Sequence, residues 1–356
     1  MVLQHKSIEL YTLKIAIVFA VCCMICSTAN AQTDDSDCSN SLAKASVLYE
    51  GGNFVECIST LTPCLSSLSK DRVFEAHRLL ALSHMSLNNS ESANESIINL
   101  LRAKPNYTTF PFFDPTKFST MLQGYDVYPK WELGIVLGMN VSSASPTKNY
   151  SITNSPASFV SKNGYQVGFM AEHYLQKRLS IQAKLQLQGI GYGRNADDVL
   201  GWKQEYTERM TFINISLVAR YAVSPNVMGW KVSAEAGLGG HVLSSTNSVI
   251  FLEDSRKNDG SRLQRSTDRI NARNNILLSG LLGLSAKHRL GEAVLGIEVR
   301  TSLGMSNAVN SENRWDNFEF ITENNYVDSD IRLNTMSLNL TYQRPIRGQY
   351  SVKRKN

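Results

Sequence analysis

The sequence predicts a small helical domain followed by an eight-stranded antiparallel β-barrel that crosses a membrane. Apolar residues recur with helical spacing from Cys38 to about Gln123, whereas eight segments between Lys130 and Gln343 alternate apolar and polar residues. The connections between those segments alternate between short and long. Because all helices precede all strands, two domains are expected. We place the helical domain at residues 32–125, the barrel at 130–345 and a basic tail at 346–356.

Residues 1–31 have the pattern of a secretory signal peptide. Lys6 and Lys14 precede the apolar run Ile15–Cys26, and Ala29–Ala31 supplies the small residues of a signal-peptidase site. The run is shorter than the roughly 20 residues that a membrane-spanning helix needs. We therefore expect an exported protein.

The charge distribution excludes nucleic acid as a partner. The net charge is +5 over 356 residues, and no dense stripe of lysine and arginine occurs before the last few residues. Domains that bind nucleic acid carry a basic stripe or patch.

The helical domain contains an internal repeat of small and large apolar positions. Its first unit comprises Ala45, Leu48, Gly52, Phe54, Cys57, Leu61 and Cys64, and its second comprises Ala81, His84, Ala93, Ile97, Leu100 and Pro105. The spacing resembles the tetratricopeptide repeat, in which small residues let two antiparallel helices approach closely. The second unit has Asn89 or Ser90 near the expected turn glycine. We expect a short capping helix to follow, with Asp114 as its N-cap and Pro115 as its first residue.

Three cysteines remain after the signal peptide. Cys57 and Cys64 are two turns apart on one predicted helix, which separates them by about 10 Å. A disulfide needs Cα atoms within about 7 Å, so any bond requires Cys38. Antiparallel packing of the first two helices favours Cys38–Cys64, with Cys57 as a buried free thiol, and Cys38–Cys57 is the alternative.

Eight alternating segments predict the strands of the barrel. They span 131–141, 165–174, 180–193, 212–223, 230–242, 275–288, 293–305 and 335–343. A tilted strand crosses a bilayer with about 9–11 residues, which matches these lengths.

The loop lengths predict the topology. The long connections span 142–164, 194–205, 243–273 and 306–330, and the short ones span 175–178, 224–229 and 288–292. Barrels of the outer membrane have short periplasmic turns and long external loops. Since the helical domain precedes the first strand, this parity places that domain in the periplasm.

Each strand has one apolar and one polar face. The residues predicted to face lipid include Leu133, Ile135, Leu185, Leu187, Ile213, Ile215, Leu295 and Ile297. The charged residues predicted to face the lumen are Glu132, Glu172, Lys184, Arg220, Lys231, Glu235, Lys287, Glu298 and Arg300. Mixed charges in a narrow lumen predict a salt-bridge network closed to solutes. Aromatic residues near strand ends predict interfacial girdles, namely Trp131, Tyr174, Tyr192, Tyr221, Trp230 and Tyr342.

The first strand carries a loose motif. Trp131, Gly134, Gly138 and Asn140 follow an aromatic-x-apolar-Gly-x-x-x-Gly-x-Asn pattern. This pattern resembles the outer-membrane β-barrel proteins of Bacteroidota, and the resemblance covers about 130–343. It implies a location in the outer membrane. The chain departs from many such barrels because residues 344–356 follow the last predicted strand.

No catalytic or metal site is expected from the sequence. His241, followed by Ser244 and Ser245 and by the acids Glu253, Asp254 and Asp259, is interpreted as a polar residue at the lumen rim. His77 and His84 are seven residues apart, a spacing that favours packing over a shared metal. We expect neither metal nor cofactor.

The expected function is therefore binding. The barrel is interpreted as a non-enzymatic anchor in outer-membrane lipid that presents residues 38–123 to an unidentified periplasmic or envelope protein or peptide. A small outer-membrane enzyme, a narrow channel and a soluble exported binding protein are the alternatives.

Overall fold

The computed structural model describes residues 36–110, 114–150, 157–197, 202–223, 229–254, 262–316, 321–322, 326–346 and 348–355. It divides into two compact units, Met1–Lys104 and Pro105–Asn356. The predicted signal peptide lies outside the described residues. Within the described ranges, no helix is long and apolar enough to cross a membrane.

The first unit consists of successive packed helices. They are α1 (Ser36–Glu50), α2 (Phe54–Leu61), α3 (Lys70–Ser86) and α4 (Ser90–Ala103). The small repeat positions Ala45, Cys57, Ala81 and Ala93 are fully buried. The first turn contains Gly52 at φ +79°, and the second contains Asn88 at φ +57°. The left-handed position of the second turn is therefore occupied by Asn88 and not by Asn89 or Ser90. Asparagine tolerates this backbone conformation better than most residues.

The two described cysteine side chains are free thiols. Cys57 packs in the core against Leu61 and Ala45, and its burial raises the pKa of the thiol. Cys64 is half-buried and lies in a 3₁₀ turn that follows α2, so the two cysteines do not share one helix as expected. The side chain of Cys38 lies outside the described residues, but both of its predicted partners are free thiols, so the predicted disulfide is not formed in this structure.

The short helix α5 (Thr116–Gln123) belongs to the second unit, although we expected it to cap the helical domain. Asp114 is not its N-cap. Its Oδ2 accepts hydrogen bonds from Tyr107 Oη at 3.0 Å and from Phe110 N at 2.8 Å. Tyr107 also packs edge-on against Phe118. These contacts give residues 105–123 a core of their own, so the predicted boundary at residue 125 lies later than the division at Lys104.

The barrel is a closed antiparallel ring of eight strands, as predicted. The described strands are β1 (Tyr125–Pro129), β2 (Trp131–Lys148), β3 (Ser158–Tyr174), β4 (Leu179–Asp197), β5 (Trp202–Ala222), β6 (Trp230–Asp254), β7 (Arg262–Thr267), β8 (Ile276–Leu290), β9 (Ala293–Gly304), β10 (Asp330–Pro345) and β11 (Tyr350–Arg354). The ring order is β5-β4-β3-β2-β10-β9-β8-β6, and pairing of β5 with β6 closes it. The short connections lie at one end of the ring, which we call the short-turn end. The long connections lie at the other end, which we call the long-loop end.

The C-terminal tail is a strand and not a free end. β11 pairs with β1 in a separate two-stranded sheet, in which Asp126 lies opposite Lys353. Asp126 also forms a 2.6 Å ion pair with Lys177 in the turn between β3 and β4. The main chain of Lys130 then bonds to Gln349, which ties this sheet to the start of β2.

The polarity of the strands inverts towards the long-loop end. On β5, the outer residues near the short-turn end are apolar and the inner residues include Asn214, Ser216 and Arg220. Beyond Phe212 the inner face gains the large apolar side chains of Tyr206 and Met210, which alternate with buried polar residues. The outer residues there are Lys203, Glu205, Thr207 and Arg209. We call the part beyond this level the cap: the long-loop ends of the strands, β7, and the connections at 268–275 and 305–329. The remainder of the ring is called the membrane section.

Candidate functional site

Arg220 lies at the centre of a charge network inside the membrane section. Its Nη1 donates to Glu172 Oε2 at 3.0 Å, and its Nη2 donates to Glu235 Oε1 at 3.1 Å and to Glu298. Arg220 and Glu235 are register partners on β5 and β6, so strand pairing alone places them side by side. Alternation along β3 and β9 directs the other two carboxylates inward at the same level.

Eight of the nine predicted lumen charges join this lower network. Lys184 pairs with Glu298, Lys287 with Glu172 at 2.6 Å and Arg300 with Glu235 at 2.7 Å. The four bases are balanced by four acids, Glu132, Glu172, Glu235 and Glu298. None of the eight is more than 7 % exposed. Buried charges are tolerated only when they are paired in this way. The paired side chains extend across the lumen and fill it at this level.

Lys231 is the exception among the predicted lumen charges. It is half-buried, and its Nζ donates to the main-chain oxygen of Lys177 at 2.9 Å. Lys231 stands at the second residue of β6, where the lumen ends, so a turn carbonyl is nearer than the carboxylates. It closes the rim without joining the network.

A layer of amides and hydroxyls lies above the lower network. His241 is buried there, 2.9 Å from Ser279 Oγ through Nε2 and 3.0 Å from Asn214 Nδ2 through Nδ1. Ser244 and Ser245, the serines that we had considered with His241, lie further along β6. Serine, histidine and asparagine follow one another as a nucleophile, a base and an orienting group would. The amide Nδ2 of Asn214 can only donate to Nδ1, however, so Nε2 carries the ring proton and donates to Ser279, which is opposite to the direction that a histidine base needs.

The space beside His241 is very small. Two gaps of about 10 Å³ and 20 Å³ adjoin its ring, one near Ser279 and Thr335 and the other near Gln188 and Asn214. Such gaps hold about one water molecule each. The gaps next to these three side chains are therefore too small to hold a substrate.

A second charge cluster, the cap cluster, fills the long-loop end. Arg273 Nη2 lies 2.5 Å from Glu208 Oε2 and 3.0 Å from Asp328 Oδ1, and Arg269 pairs with Asp328 at 2.5 Å. The hydroxyls of Tyr192 and Tyr206 donate to Glu208, and that of Tyr326 donates to Asp328. The sequence analysis did not find this cluster, because its arginines and Asp328 lie in connections where no alternation fixes the facing.

The environment of Asp328 keeps it ionised. Burial opposes the charge, but Arg273 and Arg269 outweigh that cost and hold the pKa of Asp328 below its ordinary value. Burial and the neighbouring Asp328 carboxylate raise the pKa of Tyr326 well above its usual range. Both groups therefore keep one protonation state at neutral pH, and the cluster stays paired.

The outer face of the membrane section is apolar. The eight residues predicted to face lipid are 40–58 % exposed on the outside of the ring. On β2 the apolar outer residues run from Trp131 to Val141, which is about 33 Å of strand. With the usual tilt of about 40° this gives a band about 25 Å tall. Two predicted girdle residues, Tyr174 and Tyr192, are instead buried in the lumen, where their hydroxyls bind Glu132 and Glu208.

An antiparallel ring with an apolar belt outside, paired charges inside and short turns at one end defines a β-barrel of the outer-membrane class. The chain belongs to the outer membrane protein beta-barrel domain family, which matches residues 123–340, more than half of the chain. That membership implies a location in the outer membrane. No curated protein matches the chain.

Several solved structures resemble the chain in fold. The attachment invasion locus protein Ail of Yersinia pestis is 10 % identical, with 60 % of this chain and 97 % of that chain covered and a TM-score of 0.25. The outer membrane protein OprG of Pseudomonas aeruginosa is 11 % identical, with 59 % and 94 % covered and a TM-score of 0.30. CarO of Acinetobacter baumannii is 11 % identical, with 62 % and 98 % covered and a TM-score of 0.26. The family assignment stands on the match to 123–340 and not on these likenesses.

Proposed function

We propose that the chain is a non-enzymatic outer-membrane anchor whose helical domain binds a protein or peptide on the periplasmic side. One observation carries this proposal: the lumen is filled by the lower network and again by the cap cluster. Because paired buried charges block the barrel at two levels, transport through it is disfavoured, and the binding surfaces that remain are outside the lumen.

The orientation follows from the ends of the barrel. The segment that enters β2 and the tail that leaves β10 meet in the β1–β11 sheet, beside the short turn that contains Lys177. Short turns of outer-membrane barrels face the periplasm. We therefore assign the helical domain, which precedes β1 in the chain, to the periplasm. Membership of the outer-membrane family disfavours the alternative of a soluble exported protein.

Surface residues of the helical domain support a binding role. Val47 on α1 is 69 % exposed and Val55 on α2 is 66 % exposed, although both helices bury other apolar residues in the core. The interpretation as tetratricopeptide-like pairs, which present grooves to peptides, rests on the repeat spacing. Exposed valines beside such pairs are suited to an apolar contact.

The test removes residues 36–104 and keeps the leader and the second unit. We expect the barrel still to assemble, as read from heat-modifiable gel migration, while partners crosslinked in intact cells are lost. Val55→Glu should weaken the same crosslinks, and the matched control Ser66→Glu, at an exposed polar position, should not. Crosslinks that survive deletion of 36–104 would assign binding to the second unit and contradict the proposal.

The orientation has a separate test. A protease site inserted between Asp254 and Arg262, in a long connection, should be cut on intact cells. A site after Asn356 should be protected until the outer membrane is permeabilised. Cleavage at the C-terminal site on intact cells would mean an inverted barrel.

The alternative of a small outer-membrane enzyme has one observation in its favour, the Ser279–His241–Asn214 arrangement. The gaps beside it have room for about one water molecule each, which argues against turnover. Assay of the purified barrel with fluorogenic esters and phospholipids should show no hydrolysis that Ser279→Ala removes. Hydrolysis lost in Ser279→Ala and kept in Ser285→Ala, a buried serine further along β8, would replace the anchor proposal by a hydrolase.

A further inference from the structure

Two cross-strand Trp–His pairs lie on the outer face at the short-turn end. Trp131 on β2 is directly opposite His173 on β3, and Trp230 on β6 is directly opposite His288 on β8. The ring centroids are 4.3 Å apart in the first pair and 5.1 Å apart in the second. The Nδ1 atom of His288 is 3.2 Å from the main-chain oxygen of Gly229, so this nitrogen is engaged and Nε2 remains for another partner.

The two pairs occupy opposite sides of the ring at one level. Strands β4 and β5 separate them on one side, and β9 and β10 separate them on the other. Each tryptophan is the first residue of its strand, immediately before the apolar belt. Indole rings favour the boundary between lipid chains and headgroups. The pairs therefore fix the short-turn end at the headgroup level of one leaflet.

Exposed basic residues lie at the short-turn end of the ring and on the neighbouring β11. They are Lys130, Lys177, Arg178, Arg289, Arg344, Lys353, Arg354 and Lys355. Two of them are neutralised, Lys177 by Asp126 at 2.6 Å and Arg344 by Glu292 at 3.1 Å.

Four of the others are available for a ligand. Lys130, Arg178, Lys353 and Arg354 have no ion pair within the part of the chain that the structure describes. We call these four residues the basic rim. Lys130 and Arg178 immediately precede the first residues of β2 and β4, where the apolar belt starts.

We propose that the basic rim and the two Trp–His pairs bind the phosphate groups of anionic phospholipids in the leaflet on the short-turn side. The favoured occupant is lipid and not a soluble anion, because the charges continue the belt that already contacts lipid. The indoles and imidazoles contact the headgroup region from the side of the barrel, and the basic rim contacts it from the end. This inference does not depend on the proposed partner of the helical domain.

The test measures lipid retained by the folded full-length protein in native mass spectrometry. Phosphatidylglycerol and phosphatidylcholine with the same acyl chains are titrated separately. We expect the protein to retain phosphatidylglycerol preferentially. Lys130→Gln combined with Arg178→Gln should weaken that retention by about five-fold for each charge removed at low salt. The matched control is Lys203→Gln combined with Arg209→Gln, which removes one lysine and one arginine from the outer surface of the cap. This control should retain phosphatidylglycerol as the wild type does.

Three results would overturn the proposal. The first is equal retention of both lipids by the wild type, and the second is equal loss in the two double variants. The third is that the rim variant retains phosphatidylglycerol as strongly as the wild type does. If the rim variant does not fold, a salt titration of the wild type decides, because screening must erase a preference based on exposed charges. A preference that salt leaves unchanged contradicts the proposal.

Discussion

The membrane section and the cap are built from the same strands, but their outer surfaces have opposite polarity. In the membrane section, Arg220 and its carboxylates are inside and leucines are outside. In the cap, Tyr206, Met210 and Phe212 form an apolar core with loop residues such as Tyr326 beside the buried cap cluster, and the outer residues of the strands are polar or charged. The cap is thus organised like a water-soluble protein, and the inversion between Phe212 and Ile213 marks the level at which the surrounding medium changes from lipid to water.

The two buried charge clusters differ in what positions them. All eight residues of the lower network are on strands, so the ladder of backbone hydrogen bonds fixes each one. In the cap cluster, Arg269 and Asp328 lie in connections and depend on the fold of those loops. We therefore expect changes in the lower network to affect the whole barrel and changes in the cap cluster to affect the loops alone.

The largest effect is expected from Arg220→Met. The change leaves Glu172, Glu235 and Glu298 short of one buried positive charge, and breaking a buried pair in this way costs about 3–5 kcal/mol. The temperature at which the unboiled protein loses its compact gel migration should fall accordingly. Lys231→Met is the matched control, because Lys231 is on the same inner surface but outside the network. Equal shifts for both variants would show that the network does not stabilise the ring.

A charge placed on the outer face should rank next. Leu185→Arg puts a cation into lipid near the middle of the belt, at a cost of about 2–4 kcal/mol, and should reduce barrel assembly. Gln186→Arg places the same side chain on the neighbouring residue, which faces the lumen. It should be milder. Comparable assembly of the two variants in cells would contradict the assignment of the belt to lipid.

Arg273→Met should open the cap and leave the membrane section closed. The substitution removes the bonds of Arg273 to Glu208 and Asp328, and charged hydrogen bonds are worth about 1.5–3 kcal/mol each. Limited proteolysis should then cut the connections at 268–275 and 305–329 while the thermal shift of the ring stays small. Arg209→Met, on the outer surface of the cap, is the control. If the ring of Arg273→Met loses its compact gel migration at as low a temperature as that of Arg220→Met, the cap cluster does not act on the loops alone.

The smallest effect is expected from acidification. The pKa of Asp328 is lowered in the folded protein, so its contribution to stability is complete above the ordinary value of about 4 and is lost as the pH falls through the lower folded value. Pepsin should therefore cut the cap loops faster as the pH falls below about 4, beyond the change in pepsin activity on an unfolded substrate. In the Asp328→Asn variant, pepsin should cut the cap loops rapidly at every pH, and the rate should no longer depend on pH in this way. A wild-type cap whose protection does not change over this range would contradict the role of Asp328.

The sequence predicts the parts of the molecule that period-two alternation determines. Alternation places Arg220, Glu298 and Leu185 on the right faces, since a strand allows only two orientations. It does not predict how far strands continue beyond the membrane. Predicted segments end near residues 141 and 242, whereas β2 and β6 extend to Lys148 and Asp254, because the facing rule reverses in the cap.

Contacts between distant segments are the other part that local pattern misses. His241 meets Ser279 and Asn214 from neighbouring strands, while its nearest serines in sequence point elsewhere. Asp114 similarly binds Tyr107 and Phe110 where a helix cap was expected. In both cases the side chain takes the partner that the tertiary fold supplies, and residue spacing contains no information about it.

The β1–β11 sheet also implies an order of assembly. Its pairing joins Tyr125 to Arg354, close to the two ends of the second unit, so it encloses nearly the whole barrel as one loop. Bringing such distant segments together in an open chain is slow and entropically costly, whereas a closed ring already holds them side by side. The small sheet should therefore be the last element to form, and its formation should follow closure of the ring. Lys353 lies in a hydrogen-bonded pair with Asp126, since the pairs on the same alternation, Lys130 with Gln349 and Lys355 with Gly124, are joined by main-chain bonds. Protection of the backbone amide hydrogen of Lys353 from exchange with solvent would then mark the end of barrel folding.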